Sequence, residues 1–133
     1  VNVVKYGLRQ PALWITRDAE TMRLERRRSG GWLEADISAH QTSMRATYAN
    51  SQYPSYFVQV PGMFHVNLTD VPCWSPVLPW LGITGPVDAH QAHTIINAYS
   101  LAFFDWHLKG QPEALLKGPR GRYPEVLFEG RRP

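Results

Sequence analysis

The residue best placed for chemistry is His65, which follows a short apolar strand in FVQVPGMFHVNLTD, residues 57 to 70, after the turn signals Pro61 and Gly62. An imidazole on a loop just past a strand end can carry protons near neutral pH. Such a base serves a nucleophile, and none of Ser29, Ser38, Ser43, Ser51, Ser55, Ser75 and Ser100 reads as one, so the chain has the pattern of half an active site. His90 and His93 stand one helical turn apart, a spacing that can chelate a metal, but no Glu or Cys ligand accompanies them. A solvated helix face accounts for the pair, and no metal or cofactor is expected. A metal-dependent hydrolase built on the two would lose activity to a chelator. Cys73, between Pro72 and Trp74 with no basic neighbour to favour a thiolate, reads as a packed thiol, and His40 and His107 as structural or exposed.

The elements that position His65 follow from local patterns. ALWIT, residues 12 to 16, is a compact apolar run that reads as a buried parallel strand. Residues 18 to 28, DAETMRLERRR, are charged helix formers with Asp18 as N-cap, ended by Ser29, Gly30 and Gly31. A second helix is predicted from about Leu33 to Tyr48, with Leu33, Ile37, Met44 and Tyr48 on one stripe. SYFVQV, residues 55 to 60, is the second strand. Residues 72 to 86 hold four prolines and two glycines among Trp74, Leu78, Trp80 and Leu81, which predicts a structured apolar loop. Asp88 then caps a helix whose Ile95, Tyr99, Ala102 and Trp106 form a stripe, widened by Ile96 and Phe103, up to Lys109 and Gly110.

Two strands joined by about forty partly helical residues are most simply parallel neighbours, because antiparallel pairs need only short turns. A parallel pair is not a stable sheet by itself. Covered on both faces, it needs further strands, expected from residues outside this chain or from a partner copy.

QPALWITRDAE, then about forty residues, then YFVQVPGMFHVNLTD, together with the proline-rich loop and the closing helix, resembles the last two strands of an α/β hydrolase over roughly residues 10 to 109. The resemblance is strongest to the platelet-activating-factor acetylhydrolase and related esterase group, whose catalytic histidine lies in an H-x-N-F/L-x-D context like His65, Asn67, Leu68 and Asp70 here. It implies an α/β fold in which residues 1–110 form the C-terminal part of the hydrolase domain, the last two parallel strands plus flanking helices, and 111–133 a C-terminal extension. It also implies a serine carboxylic-ester hydrolase, acetylhydrolase-like, with His65 as general base of a catalytic triad. The nucleophile of that fold sits on a G-x-S-x-G elbow, absent here, so it is expected from an upstream part of the same protein, and this chain alone is expected to be inactive. The triad acid follows either the strand that ALWIT resembles, where Asp18 and Glu20 stand, or the strand before it, upstream of Val1. For Asp18 and Glu20 the structural alternative is complementing the helix dipole. Trp74, Leu78 and Trp80, close behind His65, are candidates for the wall of a pocket for a small ester or lipid-like substrate, or else seal the loop onto the core. A noncatalytic binding or assembly module that kept the fold is the competing reading.

Composition agrees with this class. With 44% apolar and 19% charged content over 133 residues, the chain reads as one globular unit or part of one. The net charge of +3 is scattered apart from Arg26, Arg27, Arg28, Arg131 and Arg132, so no nucleic-acid partner is expected. No run reaches the length of a membrane span, and no targeting segment is visible. The single cysteine excludes an internal disulfide and leaves the compartment open, with the cytoplasm slightly favoured. Oligomeric state is not legible. Asn67-Leu68-Thr69 fits a glycosylation acceptor but is discounted, since a sugar there would obstruct His65.

Overall fold

The structure, a computed structural model, describes residues 2–118 and 122–131. Arg132 of the C-terminal basic pair lies outside them. A short helix α1 (Val3–Tyr6) precedes β1 (Ala12–Thr16), α2 (Ala19–Ser29), α3 (Glu34–Asn50), β2 (Ser55–Gln59), α4 (Ala89–Lys109) and β3 (Leu127–Arg131). Three 3₁₀ turns, His65–Leu68, Val71–Cys73 and Ala114–Lys117, interrupt the connections. Among the described residues no helix is long and apolar enough to cross a membrane.

The strands pair in the order β1-β2-β3. β1 and β2 are parallel, in register from Ala12 opposite Ser55 to Thr16 opposite Gln59, as the long helical crossover requires. Alternation along β2 decides which layer each side chain meets. Tyr56, Val58 and Val60 turn toward α4 and join Ala92, Ile95, Tyr99 and Ala102 in one buried cluster. Phe57 and Gln59 turn the other way: Phe57 meets the Tyr48 ring at 5.5 Å and the Arg45 guanidinium at 4.0 Å, and Gln59 lies 3.5 Å from Arg45. Each fully buried aliphatic of the α4 layer contributes about 1.5–3 kcal/mol, so the stripe on α4, more than propensity, holds that helix to the sheet.

Asp18 caps α2 by accepting from the Thr21 amide at 2.8 Å, Asp88 caps α4 through the Gln91 amide at 2.8 Å, and Gly110 ends α4 in the left-handed conformation at φ 68°. Leu33 departs from the predicted α3 stripe: it is the N-cap and is exposed, while Ile37 is buried.

Two expectations are corrected. The sheet has a third strand within the chain, and the C-terminal extension, in its described residues 111–118 and 122–131, packs on the sheet and on α4. Leu115, Leu116, Tyr123 and Val126 are buried in the α4 layer, and β3 lies antiparallel on β2 with Leu127 opposite Gln59 and Arg131 opposite Ser55. Arg45 on α3 clips the added strand through Glu129 at 2.5 Å. β1 and β3 are the two edge strands of the described sheet.

Candidate active site

His65 is carried on a turn that several buried contacts hold in place. β2 ends at Gln59, Pro61 and Gly62 reverse the chain with Gly62 at φ 77°, and His65 opens the following 3₁₀ turn. The Gly62 amide donates to Thr21 Oγ1 at 3.0 Å, and the Thr21 hydroxyl in turn donates to Asp18 at 2.6 Å, so the first turn of α2 fixes the turn after β2. Asn67, 1% exposed, accepts on its Oδ1 from the amides of Phe64 (2.9 Å) and Gly85 (2.8 Å). That carboxamide joins the His65 turn to the end of the proline-rich loop. Gly85 is required by the approach: a Cβ there would stand 2.0 Å from the Gly62 carbonyl oxygen and 2.7 Å from the Phe64 nitrogen. Burial of Asn67 also removes it as a glycosylation acceptor in the folded chain.

The partner of His65 is Glu25, a residue the sequence reading did not select. His65 Nδ1 lies 2.8 Å from Glu25 Oε1, and the His65 backbone amide donates to the same oxygen at 3.2 Å. Because an ionised carboxylate only accepts, the neutral form of the ring beside it carries its proton on Nδ1 and keeps a lone pair on Nε2. Nε2 makes no hydrogen bond among the described residues, and the His65 side chain is 67% exposed. Glu25 itself is 3% exposed, and its other oxygen is held by the guanidinium of Arg17, 5% exposed, which in turn faces the Trp32 ring at 5.6 Å. Arg17 stands directly after β1 and Glu25 two turns into α2. Arg17 after β1, Glu25 on α2 and His65 beyond β2 thus form a chain of contacts from cation to carboxylate to imidazole.

The sequence-selected carboxylates are used elsewhere. Asp18 is occupied with capping α2, and Glu20 pairs with Arg23 at 2.5 Å on the surface. Glu25 had one signal in the sequence: it falls three residues after Met22, on the stripe that faces the core with Thr21 and Met22. A carboxylate on a core-facing stripe needs a partner.

Other candidates separate clearly. Trp80 is 90% exposed and lines a cleft of about 610 Å³ with Arg28, Pro79, Leu81, Gly82 and Pro86, whereas Trp74 and Leu78 do not line it. Cys73 is exposed, not packed. His93 Nε2 donates to the Thr69 carbonyl at 2.7 Å, and among the described residues no three His, Cys, Asp or Glu side chains are grouped to hold a metal. His40 lies against Trp32, and burial, helped by the nearby Arg17 charge, holds its pKa below the ordinary 6.5. His107 sits among the rings of Phe103 and Tyr56.

Comparison with known proteins finds esterases similar in sequence and in fold. No family model matches the chain. A probable 1-alkyl-2-acetylglycerophosphocholine esterase from Arthroderma benhamiae is 39% identical over 46 residues, which cover 35% of this chain and 12% of that protein. The structure of a ferulic acid esterase from Streptomyces cinnamoneus superposes with a TM-score of 0.65 at 27% identity, over 92% of this chain and 34% of the other. The chain therefore spans about a third or less of the length of either relative. The resemblance to the acetylhydrolase and related esterases, read from the His65 segment, holds in both sequence and structure, and the α/β fold with its small three-stranded sheet matches that of an esterase.

Proposed function

We propose that this chain is the C-terminal part of a serine ester hydrolase of the α/β-hydrolase fold, with His65 as its proton-transfer residue, Glu25 as the carboxylate that orients it, and the nucleophilic serine supplied by residues outside the chain. The observation that carries this reading is the 2.8 Å contact between His65 Nδ1 and a buried carboxylate, made at the ends of two parallel strands. Functional groups of open α/β sheets gather at such carboxyl ends. With Nδ1–H committed to Glu25, Nε2 takes the proton of a serine hydroxyl as it attacks the ester carbonyl, and then delivers it to the departing alkoxide. Water repeats the sequence on the acyl-enzyme. Glu25 stabilises the imidazolium formed in each half, and Arg17 keeps the carboxylate oriented.

The free edge of β1 supports the part of the proposal that lies outside the chain. A two-strand parallel core needs further strands, and the exposed Leu101, Phe104 and Leu108 of α4, of which Phe104 lies beside Leu13 and Ile15 of β1, are a face for the rest of such a domain. The two relatives act, by their names, on different esters, so the reaction class transfers here and the substrate does not.

The test is hydrolysis of p-nitrophenyl acetate by the full-length protein and its His65→Ala variant, with labelling by a fluorophosphonate probe. Loss of turnover on substitution, together with a serine-dependent label in the unsubstituted protein, is expected. Activity that survives the substitution would sink the assignment of His65. A protein that neither turns over nor labels would be a noncatalytic module on the same fold.

A further inference from the structure

We propose that Ser29 is a phosphorylation site for a serine kinase that reads arginine ahead of its target, and that the phosphate lowers turnover by disturbing Glu25. The second half rests on the reading of Glu25 and His65 as partners in proton transfer; the first half does not.

The sequence supplies a recognition pattern. Arg26 and Arg27 stand three and two residues before Ser29, and no other Ser or Thr of the chain has arginine at both positions. Kinases select targets by such charge patterns, because each guanidinium makes paired, charge-assisted bonds with a carboxylate on the enzyme. Both cations are available. Arg27 has no ion-pair partner among the described residues, and Arg26 meets the exposed Glu34 at 3.5 Å.

The fold leaves this segment accessible. Residues 26–31 are exposed one after another, and the last buried side chain of α2 is that of Glu25. A target serine reaches a kinase on extended chain, so the last turn of α2 has to open. Opening breaks the bond from the Gly30 amide to the Arg26 carbonyl and that from the Ser29 hydroxyl to the Glu25 carbonyl, each 3.0 Å, and uncovers no buried side chain. Helix ends of this kind fray at little cost. Gly30 and Gly31, at φ 75° and 100° with open space around the Cβ position of each, form a hinge directly after the serine. In the transfer, Ser29 Oγ bonds to the γ-phosphorus of ATP as the bond from that phosphorus to the bridging oxygen breaks. ADP leaves, and the hydroxyl proton passes to the base of the kinase.

The modified residue is coupled to the candidate site through α2. Ser29 lies four residues after Glu25, on the same face of the helix. Its hydroxyl closes the last turn by donating to the Glu25 carbonyl. Once esterified, that oxygen has no proton to donate, and about two negative charges stand at the negative end of the helix dipole, one turn from the Glu25 carboxylate. Both effects loosen the turn that begins at Glu25, and with it the aim of the carboxylate at Nδ1 of His65. Arginines at a helix C-terminus also complement its dipole; that role alone predicts neither transfer to Ser29 nor a change in turnover.

The experiment incubates the full-length protein, its Ser29→Ala variant and an Arg26→Ala, Arg27→Ala double variant with ATP, magnesium and the catalytic subunit of the cyclic-AMP-dependent kinase, an arginine-directed enzyme. The phosphate is mapped by mass spectrometry, and hydrolysis of p-nitrophenyl acetate is measured before and after treatment. We expect modification at Ser29, slowed about tenfold in the double variant, as for hydrogen bonds to charged groups. The kcat of the phosphorylated protein should fall about tenfold, a usual size for coupling between sites, and recover with phosphatase, while kinase treatment leaves Ser29→Ala unaltered. A folded protein that is not modified at Ser29, or is modified as fast without the two arginines, overturns the site. Modification that leaves kcat within about twofold overturns the link to Glu25. If the untreated protein hydrolyses no ester, it is the hydrolase reading that has failed. The link is then decided by the ¹⁵N spectrum of the His65 ring, and a spectrum that phosphorylation leaves unchanged overturns it.

Discussion

Glu25→Gln is the most discriminating substitution at the site, because it keeps the shape of the side chain and removes its charge. Glu25 accepts from the His65 ring at 2.8 Å and the His65 amide at 3.2 Å through one oxygen, and from Arg17 through the other. A carboxamide cannot serve both neighbours. With its oxygen toward His65, its NH₂ faces the Arg17 guanidinium, donor against donor, and a buried cation loses its partner. With its oxygen toward Arg17, its NH₂ faces Nδ1, which must become an acceptor and push the proton to Nε2. The imidazole then has no lone pair to offer a nucleophile. Loss of the correct tautomer in a serine triad costs on the order of 10⁴-fold in kcat, and unpairing a buried ion costs about 3–5 kcal/mol of stability. With His65 largely exposed, water can relieve part of the first effect, so we expect a fall in kcat of about 10³-fold with KM little changed. The assay is single-turnover hydrolysis by the full-length protein, beside its melting temperature and the ¹⁵N spectrum of the His65 ring, which reports the tautomer directly. A variant that melts within a few degrees of the parent, keeps the Nδ1–H tautomer and retains kcat within about threefold would refute the role of Glu25 and return the acid to a residue outside this chain.

Two further substitutions test the frame around the site. Gly85→Ala should displace the His65 turn, since the added methyl would stand 2.0 Å from the Gly62 carbonyl oxygen. A cost of about 1–3 kcal/mol, typical of overpacking, should accompany reduced activity; unaltered melting and turnover would show that the two loops are not in register as described. His40, its pKa held below 6.5 mainly by burial, is neutral in the fold, so its stabilising contribution is full above pH 6.5 and is lost as pH falls through its lower folded value. The loss of melting temperature between pH 7.5 and pH 5 should accordingly be smaller in His40→Gln than in the parent; equal losses would contradict the burial of His40 against Trp32.

The parts of the fold that the sequence disclosed are those set by short-range pattern. ALWIT is an apolar run that follows Pro11, SYFVQV lies between Pro54 and Pro61, Asp18 and Asp88 are side-chain caps, and Gly110 stops α4, and each of these acts over a few residues. β3 was hidden for the opposite reason. Leu127–Arg131 contains Glu129 and Gly130 and has little strand character of its own; it is a strand because β2, some seventy residues earlier, offers an unpaired edge and Arg45 receives Glu129. Leu115 and Leu116, between Pro112 and Gly118, are likewise buried by a surface the local sequence does not reveal.

The site divides along the same line. The His65 segment was legible because its turn residues and neighbours form a local motif, while the triad acid was expected either upstream of Val1 or at Asp18 and Glu20, two residues that helix capping and a surface ion pair engage in the fold. Glu25 is identified by what surrounds it in space: Arg17 from the end of β1 and His65 from the end of β2 meet on one buried side chain of α2. An ion pair buried to this degree is a poor investment in stability, since well-packed apolar residues of similar size often do as well or better. Its position gives it another use. Both oxygens of Glu25 are occupied, so the carboxylate cannot rotate away from Nδ1, and the Thr21–Gly62 and Asn67–Gly85 hydrogen bonds prevent the His65 turn from drifting off it. In the proposed function the imidazole is oriented from α2, so the crossover between the two parallel strands is the element on which that function depends.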